Sequence, residues 1–519
     1  MSYPTLAYAA CFLPIVIIVY QAVPAGIRKY VLLASGCLFF CLLSGPAVVY
    51  LFAAVMIAHH TGIWIQNIDL NRGTQTKKAT AGRKKAVSAL GIVLLLAVLF
   101  MLKYYGWVSG AAAPLLRVFH ADSVSPVLSS AVLPVGLSYY TLMAISYISD
   151  VCSGRIEAEA SLADLALYLC FFPTLLEGPI ARYDGSLRPA IEGKPVSKED
   201  LKRGYLRILW GMFQELVVAD YLYFPVTRIF KSYTSNGTLC FLGAILYTLQ
   251  LYADFAGTID IVIGSARIFG VRLPENFRQP FFAKNASDFW RRWHITLGTF
   301  LRDYIFYPVS LSRPNVKLTK AVKTRFGREA GMLAGSVVPL FLVWLSNGLW
   351  HGPRINYVLY GLYYFCLILA ELILEKPLLQ ASKRIGFSLE STGFRIFRFL
   401  KLMIIVSMGE MLFRADDLQQ AGVMFKSILF RPKFSEAASV IMQNGLDLEP
   451  AESVTLAFGI AAIVTADILK EKKKDLYSRY SSHTRVVRWS LIYAAVAVIV
   501  LFGEYGSGFD AAGMIYAGF

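Results

Sequence analysis

Met332-Leu-Ala-Gly-Ser-Val-Val-Pro-Leu-Phe-Leu-Val-Trp-Leu-Ser-Asn-Gly-Leu-Trp-His351-Gly-Pro353 decides what kind of chain this is. The apolar run over 332–350 is of the length that crosses roughly 30 Å of hydrocarbon. It ends on a histidine flanked by Gly348, Gly352 and Pro353. A polar ring at membrane depth is costly unless it is paired or faces a cavity, so His351 is a functional hypothesis by default. Asn347, one helical turn earlier, is placed to orient or assist the ring. A histidine that merely bridges two helices is the competing reading. It leaves the glycines, which let backbone approach closely, without a reason.

Runs of the same kind recur at about 5–22, 30–43, 46–65, 86–103, 131–148, 163–180, 205–230, 238–256, 355–375, 398–414, 453–469 and 487–504. Of the 519 residues, 56% are hydrophobic and only 16% charged, against about 25% charged in soluble proteins. The chain therefore reads as an all-α polytopic membrane protein, a single integral-membrane domain over 1–519. Its net charge of +17 raises the possibility of nucleic acid, but the basic residues cluster in short loops between apolar runs, which is the positive-inside pattern. No nucleic-acid partner is expected, only membrane lipid. The seven cysteines are scattered without zinc-ligand or CxxC spacing, and buried small hydrophobes account for them.

Arg28 and Lys29, then Arg72, Lys77, Lys78, Arg83, Lys84 and Lys85, mark the first two cytoplasmic loops, and Lys470, Lys472, Lys473 and Lys474 mark the last. These anchors put the N-terminus outside, and a retained first span rather than a cleaved signal fits its composition. Every strongly basic loop stays cytoplasmic if the run 163–180 re-enters instead of crossing. Pro173, Gly178 and Pro179 favour such a broken helix. The loop 415–452 then lies outside.

A cytoplasmic interfacial segment over 257–331 separates the run ending near Asp254 from the run that ends on His351. From Asp288 to Tyr304 its pattern is helical: Trp290, Trp293, Leu297, Leu301 and Tyr304 form an apolar face, and Arg292, Thr296, Thr299 and Asp303 a polar one. Asn285 or Ser287 caps the start. His294 lies along the apolar margin of this helix, where donor positioning and a plain structural role are balanced. Arg291, Arg292 and Arg302 are membrane-surface anchors or bidentate contacts for phosphates. Near Arg267, Asp254 and Asp260 suggest a structural ion pair. The chain holds no P-loop, GxSxG elbow, HExxH or Cys/His cluster, so no metal site and no tightly bound cofactor are expected.

The motifs resemble those of the membrane-bound O-acyltransferases, and most closely the bacterial alginate O-acetylation subfamily. They are Pro134-Val-Gly-Leu-Ser-Tyr-Tyr-Thr, Phe172-Pro173 with Gly178-Pro-Ile, Leu249-Gln-Leu-Tyr-Ala-Asp-Phe-Ala-Gly, Pro274-Glu-Asn-Phe, Asp288-Phe-Trp-Arg-Arg-Trp-His-Ile-Thr-Leu, Leu301-Arg-Asp-Tyr-Ile-Phe-Tyr-Pro, Asn347-Gly-Leu-Trp-His-Gly with Gly361-Leu-Tyr, and Phe413-Arg-Ala-Asp. They run in family order through a motif-bearing core at about 134–417. The chain departs from the subfamily at Glu177, at Thr258, and after Tyr307-Pro308, where Val-Ser-Leu-Ser-Arg replaces a Gly-Gly-Asn-Arg element.

The resemblance implies a bowl of about 11–13 transmembrane or re-entrant helices with cytoplasmic interfacial helices. It implies His351 as the catalytic histidine and His294 as its second, with Asn347, Trp350, Trp293, Arg292, Arg302 and Asp303 as substrate-binding. The activity it implies is transfer of an acetyl group from a cytoplasmic thioester, acetyl-CoA, across the bacterial cytoplasmic membrane. The acceptor is a hydroxyl on an extracytoplasmic polysaccharide or on an acetyltransferase or esterase-like partner. The alternative is D-alanyl transfer toward teichoic acid from a carrier-protein thioester. A transporter with buried charges fits the composition but not the ordered motifs.

Overall fold

The computed structural model describes residues 3–71, 73, 76–104, 134–385 and 391–504. Arg72 and the first three residues of the 131–148 run lie outside them. Every regular element among the described residues is helical, with no strand. Seven segments among the described residues are long and apolar enough to cross a membrane: Ala25–Leu70, Lys77–Lys103, Gly237–Ile268, Arg328–His351, Ile355–Arg384, Pro450–Glu471 and Arg485–Phe502. The protein is thus all-α and polytopic. Its described residues divide into two compact units, one drawn from those up to 208 and from 258–274, the other from 209–257 and from 275 to 504. The motif-bearing stretch 134–417 contributes to both.

In the first unit, α1 (Leu13–Ala22), α2 (Ala25–Ser44), α3 (Val48–Leu70), α4 (Lys77–Lys103) and α5 (Leu137–Ser153) precede α6 (Leu162–Cys170). With nine residues, α6 rises only about 14 Å, so the 163–180 run does not cross as one helix. Residues 165–181 are nonetheless buried throughout. Protein, rather than lipid, covers the broken backbone, as irregular structure at such depth requires.

Hydropathy fades after Asp254, yet α7 (Gly237–Ile268) runs 32 residues without a break, so the interfacial segment opens inside a helix rather than at 257. Partners within the first unit hold Asp260, Ser265 and Arg267 of this extension. Asp260 accepts from Arg207 Nε at 2.7 Å, Arg267 Nε donates to Asp200 at 2.6 Å, and Tyr8 Oη donates to Ser265 Oγ at 3.0 Å. The ion pair expected of Arg267 with its sequence neighbours is replaced: Arg267 takes Asp200, and Asp260 takes Arg207.

In the second unit α8 (Ala286–Arg292) and α9 (Ile295–Leu301) are followed by α10 (Arg313–Phe326), α11 (Arg328–His351), α12 (Ile355–Ile385) and α13 (Thr392–Arg414). α11 packs on both α10 and α12. The α11–α12 contact is close because it is made of glycine: a Cβ on Gly348 would meet the Tyr357 carbonyl oxygen at 2.4 Å, and one on Gly361 the Trp344 carbonyl oxygen at 2.3 Å. Small residues are the usual device for such approach between membrane helices, where hydrophobic drive between helices is absent. Backbone rather than a flexible side chain meets the added atom, so Gly348→Ala or Gly361→Ala should cost about 1–3 kcal/mol. Thermal unfolding in detergent checks this, with Gly422→Ala, in the interior of the helix Leu418–Phe430 and with nothing within 4 Å of its Cβ, expected to hold or raise the midpoint through its gain in helix propensity.

Candidate active site

Asn285 opens α8, its side chain accepting from the Asp288 N–H at 2.8 Å. The Glu371 carboxylate from α12 then accepts from the Ala286 and Ser287 N–H groups at 2.8 and 3.1 Å, placing negative charge at the positive end of the helix. The continuous helix expected over 288–304 is not formed. It breaks at Trp293 and His294, where His294 adopts a left-handed backbone with φ 45° and ψ 52°, a conformation that costs a non-glycine residue about 1–3 kcal/mol.

Asn276 holds the break. Its side-chain oxygen accepts from the Thr296 N–H at 3.0 Å and from Thr296 Oγ1 at 2.9 Å, and it lies 3.3 Å from His294 Nδ1. Its backbone carbonyl accepts from the Ile295 N–H at 3.0 Å. Because a backbone N–H faces that side-chain oxygen, the oxygen assignment is fixed and His294 Nδ1 must be the donor. The tautomer follows: the proton sits on Nδ1 and the lone pair on Nε2. His294 is only 3% exposed, not set at the margin of a surface helix, and burial pushes its pKa down to about 3. It is a neutral imidazole throughout the physiological range.

His351 closes α11 and is equally buried. Gly352, at φ 146°, turns the chain there in a region that favours glycine. The rings of His294 and His351 both contact Trp350, at centroid distances of 5.8 and 4.9 Å. The two histidines, 57 positions apart in the chain, thus converge on one indole. Phe413 of α13 and Tyr357 and Tyr360 of α12 complete the box around His351, at 4.9, 6.0 and 6.2 Å.

A cavity of about 440 Å³ adjoins this centre. Its buried lining includes His294 and Asn347, its aromatic walls Trp290 and Trp344, and its exposed lining Arg291 and Arg302. His351 and Trp350 are not among the residues that line it, so His294 and Asn347 face the cavity while His351 does not.

The other residues expected to bind substrate sit differently. Trp293 is buried against Phe289, Phe277 and Tyr252, an aromatic core. Arg292 is held by Glu471 at 2.9 Å and Asp288 at 3.4 Å and does not line the cavity, whereas Arg291 and Arg302 do. Asp303 pairs with Arg302 at 2.9 Å and does not line the cavity. Asn276 went unassigned in the sequence although it belongs to the quoted Pro274-Glu-Asn-Phe element. Only its pairing with a residue 18 positions away reveals its role.

The arrangement, a buried neutral imidazole beside an amide with guanidinium groups at the exposed rim, can receive a molecule whose one end is anionic and whose other end reacts. Residues 149–382 match the sequence model of the membrane-bound O-acyltransferase family. The chain is 28% identical over 426 residues to the probable alginate O-acetylase of Pseudomonas syringae pv. tomato, covering 82% of this chain and 74% of that one. It is 32% identical over 299 residues to the probable alginate O-acetylase of Pseudomonas fluorescens, covering 58% and 54%. To the teichoic acid D-alanyltransferase of Bacillus subtilis it is 30% identical over 249 residues, covering 47% and 60%. Residues 149–382 carry a domain of the membrane-bound O-acyltransferase family, and with these relatives the protein is an O-acyltransferase of the membrane.

Burial of His294 has a consequence for stability. Unfolded, the ring takes up a proton below about pH 6.5, whereas the folded ring stays neutral down to about 3. The unfolded state therefore binds more protons in that window, and stability is lost as pH falls through it. At pH 5 the loss is about 2 kcal/mol. His294→Gln should show a smaller drop in unfolding midpoint between pH 7 and pH 5 than the wild type, measured in the same detergent.

Proposed function

We propose that this protein takes an acetyl group from acetyl-CoA on the cytoplasmic side and delivers it to a hydroxyl on an extracytoplasmic polysaccharide, directly or through a partner acetyltransferase, in a bacterial cytoplasmic membrane. The observation that carries the reading is the cavity, which has guanidinium groups at its exposed rim and His294 and Asn347 at its buried end. An acyl-CoA has that polarity, with phosphates at one end and a thioester at the other. Arg291 and Arg302 suit the phosphates.

His351 is the general base of this proposal. It takes the proton of the acceptor hydroxyl as the oxygen attacks the thioester carbonyl, and the C–S bond breaks to release the thiol, which takes up the proton. His294 is a poor base, since a ring held at about 3 has little proton affinity at neutral pH. Its Nε2 lone pair suits hydrogen-bond acceptance from the donor. Asn347 can donate to the developing oxyanion. His294 in the cavity lining and His351 outside it fit a donor and an acceptor that approach from different sides.

D-alanyl transfer from a carrier-protein thioester is the second reading, favoured by the relative from Bacillus subtilis. The alginate O-acetylase likeness extends over 82% of the chain against 47% for that relative, which favours acetyl transfer.

Protein reconstituted in lipid and given radiolabelled acetyl-CoA should cleave the thioester and pass label to a glycan acceptor, and His351→Ala should lower the rate by about 100-fold or more. Joint Arg291→Ala and Arg302→Ala should raise KM for acetyl-CoA about tenfold with little change in kcat. Wild-type protein that leaves acetyl-CoA intact but consumes a D-alanyl carrier thioester would establish the second reading.

A further inference from the structure

A buried acid stands behind the histidine box. Glu410, on α13, is 1% exposed. Its Oε1 accepts from Tyr360 Oη at 2.9 Å, and its Oε2 has no hydrogen-bond partner among the described residues. Burying a carboxyl group with half of its acceptor capacity unused is expensive, and a leucine of similar size would pack there at less cost. The position therefore calls for a role that packing does not supply.

The neighbours indicate that role. Tyr360 is 3% exposed and meets the His351 ring edge-on, with interplanar angle 88° and centroids 6.2 Å apart. It also packs on Phe413 at 5.1 Å and Tyr364 at 5.0 Å. Phe413, three residues after Glu410 and so on the same face of α13, contacts the opposite members of the box, His351 at 4.9 Å and Tyr357 at 4.8 Å. Rings in contact fix each other's positions loosely, because an edge-to-face contact has a broad minimum. The hydrogen bond from Tyr360 Oη to Glu410 is directional, and it is what fixes the tilt of the tyrosine against the imidazole.

We propose that Glu410 is a positioning residue for His351: by accepting from Tyr360 Oη it locks the tyrosine ring against the imidazole and holds His351 in one orientation between α11, α12 and α13. The residue does not touch substrate. It acts through Tyr360, and its effect falls on the chemical step rather than on donor binding. The inference rests on the proposed role of His351 as base.

Glutamine can still accept the tyrosine's hydrogen bond, leucine cannot, and Tyr360→Phe removes the donor while keeping the ring. Steady-state kinetics with acetyl-CoA in lipid therefore test the proposal, run beside His351→Ala. Glu410→Leu and Tyr360→Phe should each lower kcat about tenfold or more and leave KM for acetyl-CoA within about twofold. The double variant should be no worse than either single one, since both remove the same bond. Glu410→Gln should keep at least about a third of wild-type kcat. Should Glu410→Leu fail to fold, Tyr360→Phe, which loses one oxygen, carries the same comparison. An inactive His351→Ala beside a fully active Tyr360→Phe overturns the positioning role alone. A Gln variant as slow as the Leu variant also overturns it, because charge rather than the hydrogen bond would then matter. An active His351→Ala removes the base assignment itself.

Discussion

The side-chain oxygen of Asn276 receives the Thr296 N–H, the Thr296 hydroxyl and His294 Nδ1, and the site is built outward from that point. Three donors on one carbonyl oxygen offset the cost of a left-handed backbone at His294. They stop one helix and start another, where an unbroken helix would have carried the imidazole to the edge of its apolar face. They also select the tautomer, so the nitrogen left with a lone pair is Nε2. Burial disfavours the charged form of the ring and pushes its pKa down.

Around this point the second unit gathers polar groups that an apolar chain would not otherwise bury. Glu371 caps α8, Glu410 ties Tyr360 to α13, and Trp350 lies between two imidazoles. Each group costs desolvation, and each is at least partly compensated by a donor or a ring placed by a different helix. The glycines at 348 and 361 make this possible by letting α11 and α12 approach until backbone nearly touches side-chain space. Close packing and polar chemistry are thus one arrangement. The helix that ends on His351 can deliver the ring to its box only because Gly348, one turn earlier, admits Tyr357.

Much of this was legible in the chain itself. Apolar runs announced the polytopic all-α fold, and the 332–350 run placed His351 at a helix end. The ordered motifs indicated the family. Features that escaped depend on partners far away in sequence. Periodicity between 288 and 304 is a local signal, and it does not register that Asn276 interrupts it from 18 residues upstream. Hydropathy marks where a helix leaves lipid-like composition, not where it ends, so α7 continues past Asp254 on ion pairs to Arg207 and Asp200. Arg292 and Trp293 sit in a motif beside His294, yet one is consumed by Glu471 and Asp288 and the other by an aromatic core. Adjacency in sequence does not separate a cavity-lining side chain from a packed or paired one when a break in the helix turns successive side chains in different directions.

The central claim is that the cavity beside His294 is where the acyl donor sits, with the reacting end directed toward the histidine pair. An experimental map of the protein in lipid with a non-hydrolysable thioether analogue of acetyl-CoA tests it most directly. The account requires density in the cavity, phosphates at Arg291 and Arg302, and the acyl carbon at the His294–Asn347 end. An analogue bound elsewhere, or seated with its phosphates toward His294, would contradict it.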